Sequence, residues 1–212
     1  MNEHSSLVWL VDFDGTVINL DLGARFSEWV FANQRVTKIA YVVRLLGAPI
    51  NLTLRKLERG QLFRAWSWGL SESEIQTLFA DFLKYIAPEL VVNNLLLHRL
   101  RMTPESNKIL LTGCPQDLAV AFLRAYNIYD FDDVIGMTVT RQIVISRHPF
   151  GRSKLKFAKK CGLFIAVGDS WQDRFILRLA HHAIVIPGVS RIEKLATRFG
   201  WEVFPPQKMT DI

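Results

Sequence analysis

The chain has 212 residues, and half of them are hydrophobic, which is enough for one compact domain or for a core domain with a smaller insertion. Its two cysteines, Cys114 and Cys161, exclude a disulfide framework and a paired-cysteine zinc site, so we expect a reducing compartment, the cytoplasm. No Lys or Arg precedes the first apolar run, so a secretory signal peptide is not expected.

The net charge of +6 is concentrated in one segment of the chain. Residues 25 to 64 hold eight basic residues and two acids, whereas residues 1 to 24 hold four acids and no Lys or Arg. A surface this basic favours anionic partners. Because these basic residues accompany apolar helical stretches and no recognition motif is present, we do not expect nucleic-acid binding.

The first predicted element is a strand that ends at two carboxylates. Five apolar residues, Leu7 to Val11, predict a strand buried on both faces. In extended backbone, Asp12 and Asp14 would point to the same side, with Phe13 turned into the core. Two carboxylates so close together are costly without a cation or a shared proton, which predicts a metal site or acid-base chemistry. Gly15 allows a sharp turn afterwards, and a strand followed by an ordinary Asp-Gly turn is the alternative.

Residues 20 to 100 have the apolar periodicity of helices and predict an all-helical insertion. Pro49 is expected to end the first helix and Gly60 to cap the second. Ser71 and Glu74 form a capping box that opens a later helix. The predicted helices cover residues 20–46, 50–59, 62–68, 71–87 and 89–100.

After the insertion, strands and helices alternate, which predicts a doubly wound parallel sheet of the α/β class. The predicted strands cover residues 108–111, 133–136, 163–167, 183–186 and 201–204. The predicted helices cover residues 116–126, 153–161, 171–180 and 190–199. Residues 137–147 alternate in polarity and predict a hairpin.

Polar residues at later strand ends are candidates for an anion site. Thr112 and Gly113 end a strand just before a helix, a position that suits phosphate oxygens, although Thr-Gly usually only turns the chain. Lys154 opens a helix and could offset the charge of the acids, whereas a lone lysine is usually solvated. Lys156 is a weaker candidate, because it faces elsewhere on the helix.

Two further acids follow the strand at residues 163–167. Asp169 lies in the loop and Asp173 in the opening turn of the next helix. Carboxylates at this spacing can converge on a hard cation such as Mg²⁺. Helix capping by Asp169 or Ser170 is the alternative.

These motifs together resemble a known family. The run Asp12-Phe-Asp-Gly-Thr16 resembles the first signature of the haloacid dehalogenase superfamily of phosphatases. Thr112-Gly113 resembles its second motif, and Gly151-x-x-Lys154 has the spacing of the third motif in phosphoserine phosphatase relatives. Asp169 to Asp173 resembles the fourth. Four motifs in this order, each at a strand end, are far more specific than any one alone.

The resemblance implies a role for each acid. Asp12 attacks phosphorus to form an aspartyl-phosphate, and Asp14 protonates the leaving oxygen. Mg²⁺ is held by Asp12, Asp169 and the backbone carbonyl of Asp14, while Asp173 supports the ligand shell or Lys154.

The resemblance also implies a domain organisation and substrate contacts. Residues 1–19 and 101–212 form a Rossmann-like catalytic core, and residues 20–100 form a helical cap that selects the substrate. Thr112, Gly113 and Lys154 bind the phosphate. Asp21 matches a substrate-contacting acid of relatives, but it is as well placed to cap the first helix of the insertion.

The resemblance leaves alternatives for the substrate. A small soluble phosphate such as phosphoserine is favoured, and a lipid-linked phosphate such as phosphatidylglycerophosphate is the alternative. The basic, apolar insertion could pack on the core or contact the inner face of a membrane as a peripheral helix bound to phospholipid head groups. A non-catalytic phosphate-binding or interaction module is a third possibility.

Overall fold

The computed structural model of the chain describes residues 7–56, 61–63, 66–67, 69–138, 145–147, 149–188 and 192–205. The strands are β1 (Val8–Val11), β2 (Gln61–Phe63), β3 (Asn107–Pro115), β4 (Asp133–Met137), β5 (Ile145–Arg147), β6 (Phe164–Gly168), β7 (His182–Val185) and β8 (Glu202–Val203). The helices are α1 (Leu22–Ala32), α2 (Lys38–Lys56), α3 (Glu72–Ile86), α4 (Asn94–Arg101), α5 (Gln116–Ala125), α6 (Leu155–Ala158), α7 (Arg174–Leu177) and α8 (Glu193–Phe199).

The main sheet has the order β4-β3-β1-β6-β7-β8 among the described residues, and every neighbouring pair is parallel. With these strands numbered in chain order, the arrangement is 3-2-1-4-5-6, the doubly wound order of Rossmann-type folds. The predicted α/β class and parallel sheet are therefore confirmed.

Strand β1 is buried on both faces, as its continuous apolar sequence predicts. Trp9 and Val11 join a hydrophobic cluster with α1, α3, α4 and α5, whereas Val8 and Leu10 join a second cluster with α6, α7 and α8. Successive side chains of a strand point to opposite faces, so one short strand connects both layers of the core. Phe13 continues into the first cluster, with its ring centroid 5.3 Å from that of Phe122.

The helix boundaries of the insertion differ from prediction. The helix expected over residues 20–46 is two helices, because Gln34 between α1 and α2 has a left-handed φ of 51°. The break expected at Pro49 is wrong, since α2 runs through it to Lys56. A proline in a helix interior costs about 3 kcal/mol, which tertiary packing can outweigh. Gly60, the expected cap, lies outside the described residues.

A small second sheet was not predicted. Residues 61–63 form β2, which pairs antiparallel with β5, although a helix was expected from residue 62. The insertion is therefore helical apart from β2 in its described part. The hairpin expected over residues 137–147 lies mostly outside the described part, which omits residues 139–144. Of its described ends, Met137 closes β4 in the main sheet and residues 145–147 form β5, which pairs with β2. Alternating polarity predicts a strand but does not identify its partner.

Several predicted helices begin later or are shorter than expected. The capping box of Ser71 and Glu74 opens α3 as predicted, whereas α4 begins only at Asn94, capped by the Asn93 side chain. The segment expected over residues 153–161 starts as a 3₁₀ turn, Gly151–Lys154, before α6. These changes shift the element ends without altering the strand order.

Candidate active site at the carboxyl edge of the sheet

The predicted site residues follow three adjacent strands at one edge of the sheet. Asp12 follows β1, Thr112 lies near the end of β3, and Asp169 follows β6. The Asp12 N–H donates to the carbonyl of Val167 at 2.9 Å, which ties the end of β1 to β6. Ligands of doubly wound sheets bind at this edge, where the strand order reverses.

Lys154 lies between two carboxylates. Its ammonium donates to Asp12 Oδ1 in a short contact and to Asp173 Oδ1 at 2.6 Å, and its side chain is 3 % exposed. Burial alone would lower the pKa of Lys154, but the charges of Asp12 and Asp173 outweigh it and raise that pKa above its ordinary value. The lysine therefore stays charged. The alternative that Lys154 is an ordinary solvent-exposed lysine is therefore wrong.

Asp173 is held on both carboxylate oxygens. Its Oδ1 accepts from Lys154, and its Oδ2 accepts from the Ser170 hydroxyl at 2.6 Å and the Ser170 N–H at 3.2 Å. It precedes α7 but makes no side-chain capping bond to it. Because both oxygens are engaged, Asp173 suits the supporting role expected of it.

Asp169 meets the loop that follows β1. A Cβ atom added to Gly15 would lie 2.2 Å from Asp169 Oδ2, so only a glycine lets the two loops approach this closely. Gly15 also has a φ of +76°, which favours glycine. Gly168 is similarly constrained, because an added Cβ would lie 2.6 Å from the Cβ of Asp173.

Three carboxylates share one small volume. Asp12, Asp169 and Asp173 each offer an oxygen within 4.8 Å of the others. Burial, then the charge of Asp173, raises the pKa of Asp12 to about 7 against the opposing effect of Lys154. Burial, then the charges of Asp12 and Asp173, raises the pKa of Asp169 to about 8. When they are ionised, three acids beside one ammonium carry an excess of negative charge, and such an oxygen-lined site fits a hard divalent cation.

Asp14 has a different environment from Asp12. Its Oδ1 accepts from the Leu22 N–H at 2.8 Å, and its Oδ2 accepts from the Thr112 hydroxyl at 3.3 Å. Burial, followed by the charges of Asp21 and Asp12, raises the pKa of Asp14 well above its usual range. A carboxyl group whose pKa is raised holds its proton to higher pH, which suits a general acid.

Thr112 and Asp21 both affect Asp14, Thr112 through a hydrogen bond and Asp21 through its charge, which raises the pKa of Asp14. The Thr112 hydroxyl is fully buried; it donates to Asp14 and accepts from the Cys114 N–H at 2.9 Å. Asp21 is exposed and caps α1 by accepting from the Ala24 N–H at 2.7 Å, so the capping alternative holds. Gly113 lies next to Thr112 and is half-buried. Direct contact of these residues with a substrate stays a prediction.

A family comparison agrees with this geometry. The profile of the haloacid dehalogenase-like hydrolases matches residues 10–178, most of the chain. The protein belongs to the haloacid dehalogenase-like hydrolase family. The family expected from the four motifs is thus confirmed, and no curated protein matches the chain at a significant level.

Solved structures with the same fold differ strongly from this hydrolase in sequence. A protein of unknown function from Bordetella pertussis Tohama I has a TM-score of 0.70 at 15% identity, and the match covers 94% of this chain and 99% of that one. A phospho-aspartyl intermediate analogue of phosphoserine phosphatase has a TM-score of 0.55 at 14% identity, covering 93% and 92%. A phosphoserine phosphohydrolase-like protein from Francisella tularensis subsp. tularensis SCHU S4 has a TM-score of 0.55 at 16% identity. The match covers 93% of this chain and 94% of that one. At these identities the likeness establishes the fold of the hydrolase.

Sequence reasoning missed two groups that hold the acids in this hydrolase. Ser170 fixes Asp173, and its position three residues earlier was considered only as a helix cap. The backbone N–H of Leu22 fixes Asp14 across the turn after β1, where the Val17 N–H donates to the carbonyl of Phe13 at 2.9 Å. Every residue except proline has such an N–H, so no sequence signal could have identified Leu22.

Replacing Gly15 with alanine tests the contact between the two loops. We expect Gly15→Ala to lose activity, because its Cβ would displace the carboxylate of Asp169. Gly162→Ala is the matched control: Gly162 has a φ of +63° and nothing within 4 Å of an added Cβ. Both variants should lose roughly 1–2 kcal/mol of unfolding free energy to the left-handed backbone, measured by urea denaturation. Equal activity in the two variants would contradict a role for the Gly15–Asp169 contact.

Proposed function

We propose that the protein is a magnesium-dependent phosphatase that hydrolyses a phosphate monoester through an aspartyl-phosphate. The observation that carries this proposal is the buried ammonium of Lys154 between Asp12 and Asp173, with Asp169 in the same cluster. This arrangement combines an oriented carboxylate nucleophile with a site for a cation.

Asp12 acts as the nucleophile. Lys154 fixes its Oδ1, which leaves Oδ2 to attack phosphorus and form the new P–O bond. As the bond from phosphorus to the leaving alcohol breaks, Asp14 gives its proton to the alcohol oxygen. Asp14, now a carboxylate, then takes a proton from the water that attacks the aspartyl-phosphate, which releases inorganic phosphate and restores Asp12.

The remaining residues position these groups and offset charge. Thr112 and the Leu22 N–H hold Asp14, and Ser170 holds Asp173 against Lys154. Bound Mg²⁺ would be held by Asp12, Asp169 and the backbone carbonyl of Asp14, and it would draw charge from the phosphoryl oxygens. Lys154 would also offset this charge, and Gly113 would offer its N–H to the phosphate.

The motif resemblance by itself favours a small soluble phosphate handled in the cytoplasm, with a lipid-linked phosphate as the alternative. The exposed apolar face of α2, described below, moves our preference to the lipid-linked phosphate. A phosphatase screen across amino-acid, sugar, nucleotide and lipid phosphates, with and without Mg²⁺, tests the proposal. Phosphate release that needs Mg²⁺ is expected, and its absence with every substrate would favour a non-catalytic phosphate-binding module.

The raised pKa values of Asp12 and Asp169 predict how Mg²⁺ stabilises the protein at different pH. Without metal, both groups bind protons more tightly in the folded chain than in the unfolded chain, whose pKa lies near 3.8. Their contribution to stability is complete below that value and is lost as pH rises through about 7 and 8. Because Mg²⁺ competes with these protons, its stabilising effect should grow in the same range.

Thermal denaturation with and without Mg²⁺ measures this linkage. We expect the rise in Tm on adding Mg²⁺ to increase from pH 6 to about pH 8.5. Asp169→Asn isolates the effect from other titrating groups and should remove most of the rise. The metal site would be contradicted if the increase in Tm on adding Mg²⁺ were the same at every pH, or the same in Asp169→Asn as in the wild type.

A further inference from the structure

The outward face of α2 is apolar. Five large hydrophobic side chains of this helix are between 51% and 75% exposed: Ile39, Val42, Leu45, Leu46 and Leu52. Pro49, which lies among them, is also exposed. The face extends from Ile39 to Leu52, about 20 Å along the helix axis. Single exposed apolar residues are ordinary, but a continuous row on one helix marks a contact surface.

This face lies opposite the side of α2 that packs on the protein. Ala40 and Gly47 are buried, and at 100° per residue they fall opposite Val42, Leu45 and Pro49. A surface helix normally presents polar residues outward. Helix α3 does so, since Glu72, Ser73, Gln76, Thr77 and Lys84 are all exposed there. The pattern of α2 is therefore the reverse of that expected for a helix facing water.

The charge of α2 is entirely basic. The helix contains Lys38, Arg44, Arg55 and Lys56 and no acid. Lys38 is exposed and falls on the outward face at 100° per residue, whereas Arg44, also exposed, lies nearer the packed side, with its guanidinium 4.2 Å from the ring centroid of the buried Phe31. A second copy of the chain docked on the same face would bring like charges together, whereas an anionic surface would neutralise them.

We propose that the outer face of α2 binds the surface of an anionic phospholipid bilayer, with its leucines among the acyl chains and its basic residues at the head groups. A helix of this composition lies in the plane of the interface. In the part of the chain that the structure describes, no helix is long and apolar enough to cross a bilayer. Membrane docking does not rest on the proposed hydrolysis. If both hold, they favour a substrate whose phosphate is carried on a lipid.

Vesicle co-sedimentation tests this proposal. The probes are vesicles of equal parts phosphatidylglycerol and phosphatidylcholine, and vesicles of phosphatidylcholine alone. The test variant carries Leu45→Glu and Leu46→Glu. The matched control carries Met102→Glu and Leu179→Glu, which make the same charge change at side chains 69% and 48% exposed outside the insertion. Hydrolysis of p-nitrophenyl phosphate is measured on each protein as an independent readout.

The wild type and the matched control should pellet with the anionic vesicles, more weakly as salt increases and little with phosphatidylcholine alone. The Leu45/Leu46 variant should bind roughly tenfold more weakly for each leucine replaced, with unchanged p-nitrophenyl phosphate hydrolysis. Failure of the wild type to bind anionic vesicles, or equal binding by the two double variants, would overturn the proposal. If the wild type does not bind vesicles but forms a dimer that the Leu45/Leu46 substitutions separate, the face is a contact with a second copy of the chain.

Discussion

Asp12→Asn should abolish phosphate release and leave the chain folded. The variant loses the nucleophile, which we expect to lower kcat by about 10⁴-fold or more. Folding should survive, because the amide oxygen of asparagine can still accept from Lys154 and one of three crowded negative charges is removed. Without Mg²⁺ the variant should be at least as stable as the wild type at pH 8, measured by thermal denaturation.

Asp133→Asn is the control for this substitution. Asp133 is exposed at the start of β4, and its Oδ1 accepts from the Val134 N–H, which an asparagine can also satisfy. Activity should be unchanged in this variant. Acid quenching followed by mass spectrometry should detect a phosphorylated peptide containing Asp12 in the wild type and in Asp133→Asn, and no phosphorylated form of the corresponding peptide in Asp12→Asn. Near-normal turnover by Asp12→Asn would remove Asp12 from the nucleophilic role.

Lys154→Met should have the largest effect on stability. It removes the buried ammonium between Asp12 and Asp173, so both carboxylates lose their cation. Breaking a buried ion pair in this way lowers the free energy of unfolding by about 3–5 kcal/mol. Because Lys154 lowers the pKa of Asp12 and of Asp169, its loss lets both acids hold protons to higher pH. The destabilisation should therefore be small near pH 5 and large near pH 8.

Lys156→Met is the matched control, since Lys156 is exposed two residues further on. It should leave both unfolding free energy and activity unchanged. Lys154→Arg keeps the charge and should recover much of the stability, which keeps the test informative if Lys154→Met does not fold at neutral pH. A pH-independent destabilisation by Lys154→Met, measured by urea denaturation, would show that the lysine acts through packing instead of charge.

The positions of the catalytic candidates followed from the sequence because each is tied to the end of an apolar strand. A run such as Leu7 to Val11 predicts a buried strand, and parallel strands bring their carboxyl ends to one edge. The predicted sheet therefore placed Asp12, Asp169 and Thr112 at one edge, and the observed order β3-β1-β6 made them neighbours. The choice of Lys154 over Lys156 depended on the resemblance, and the structure supports it with the contact to Asp12.

The sequence alone thus determined the α/β class with its parallel sheet, the family and the acids that follow the strand ends, since these depend on local apolar pattern and motif spacing. The tertiary structure decided what depends on contacts between distant segments. Ser170 holding Asp173, Gly15 lying against Asp169, β2 pairing with β5, and α2 continuing through Pro49 all belong to this second group. It also decided which face of α2 is outward, because periodicity gives the faces of a helix but packing determines which one is buried.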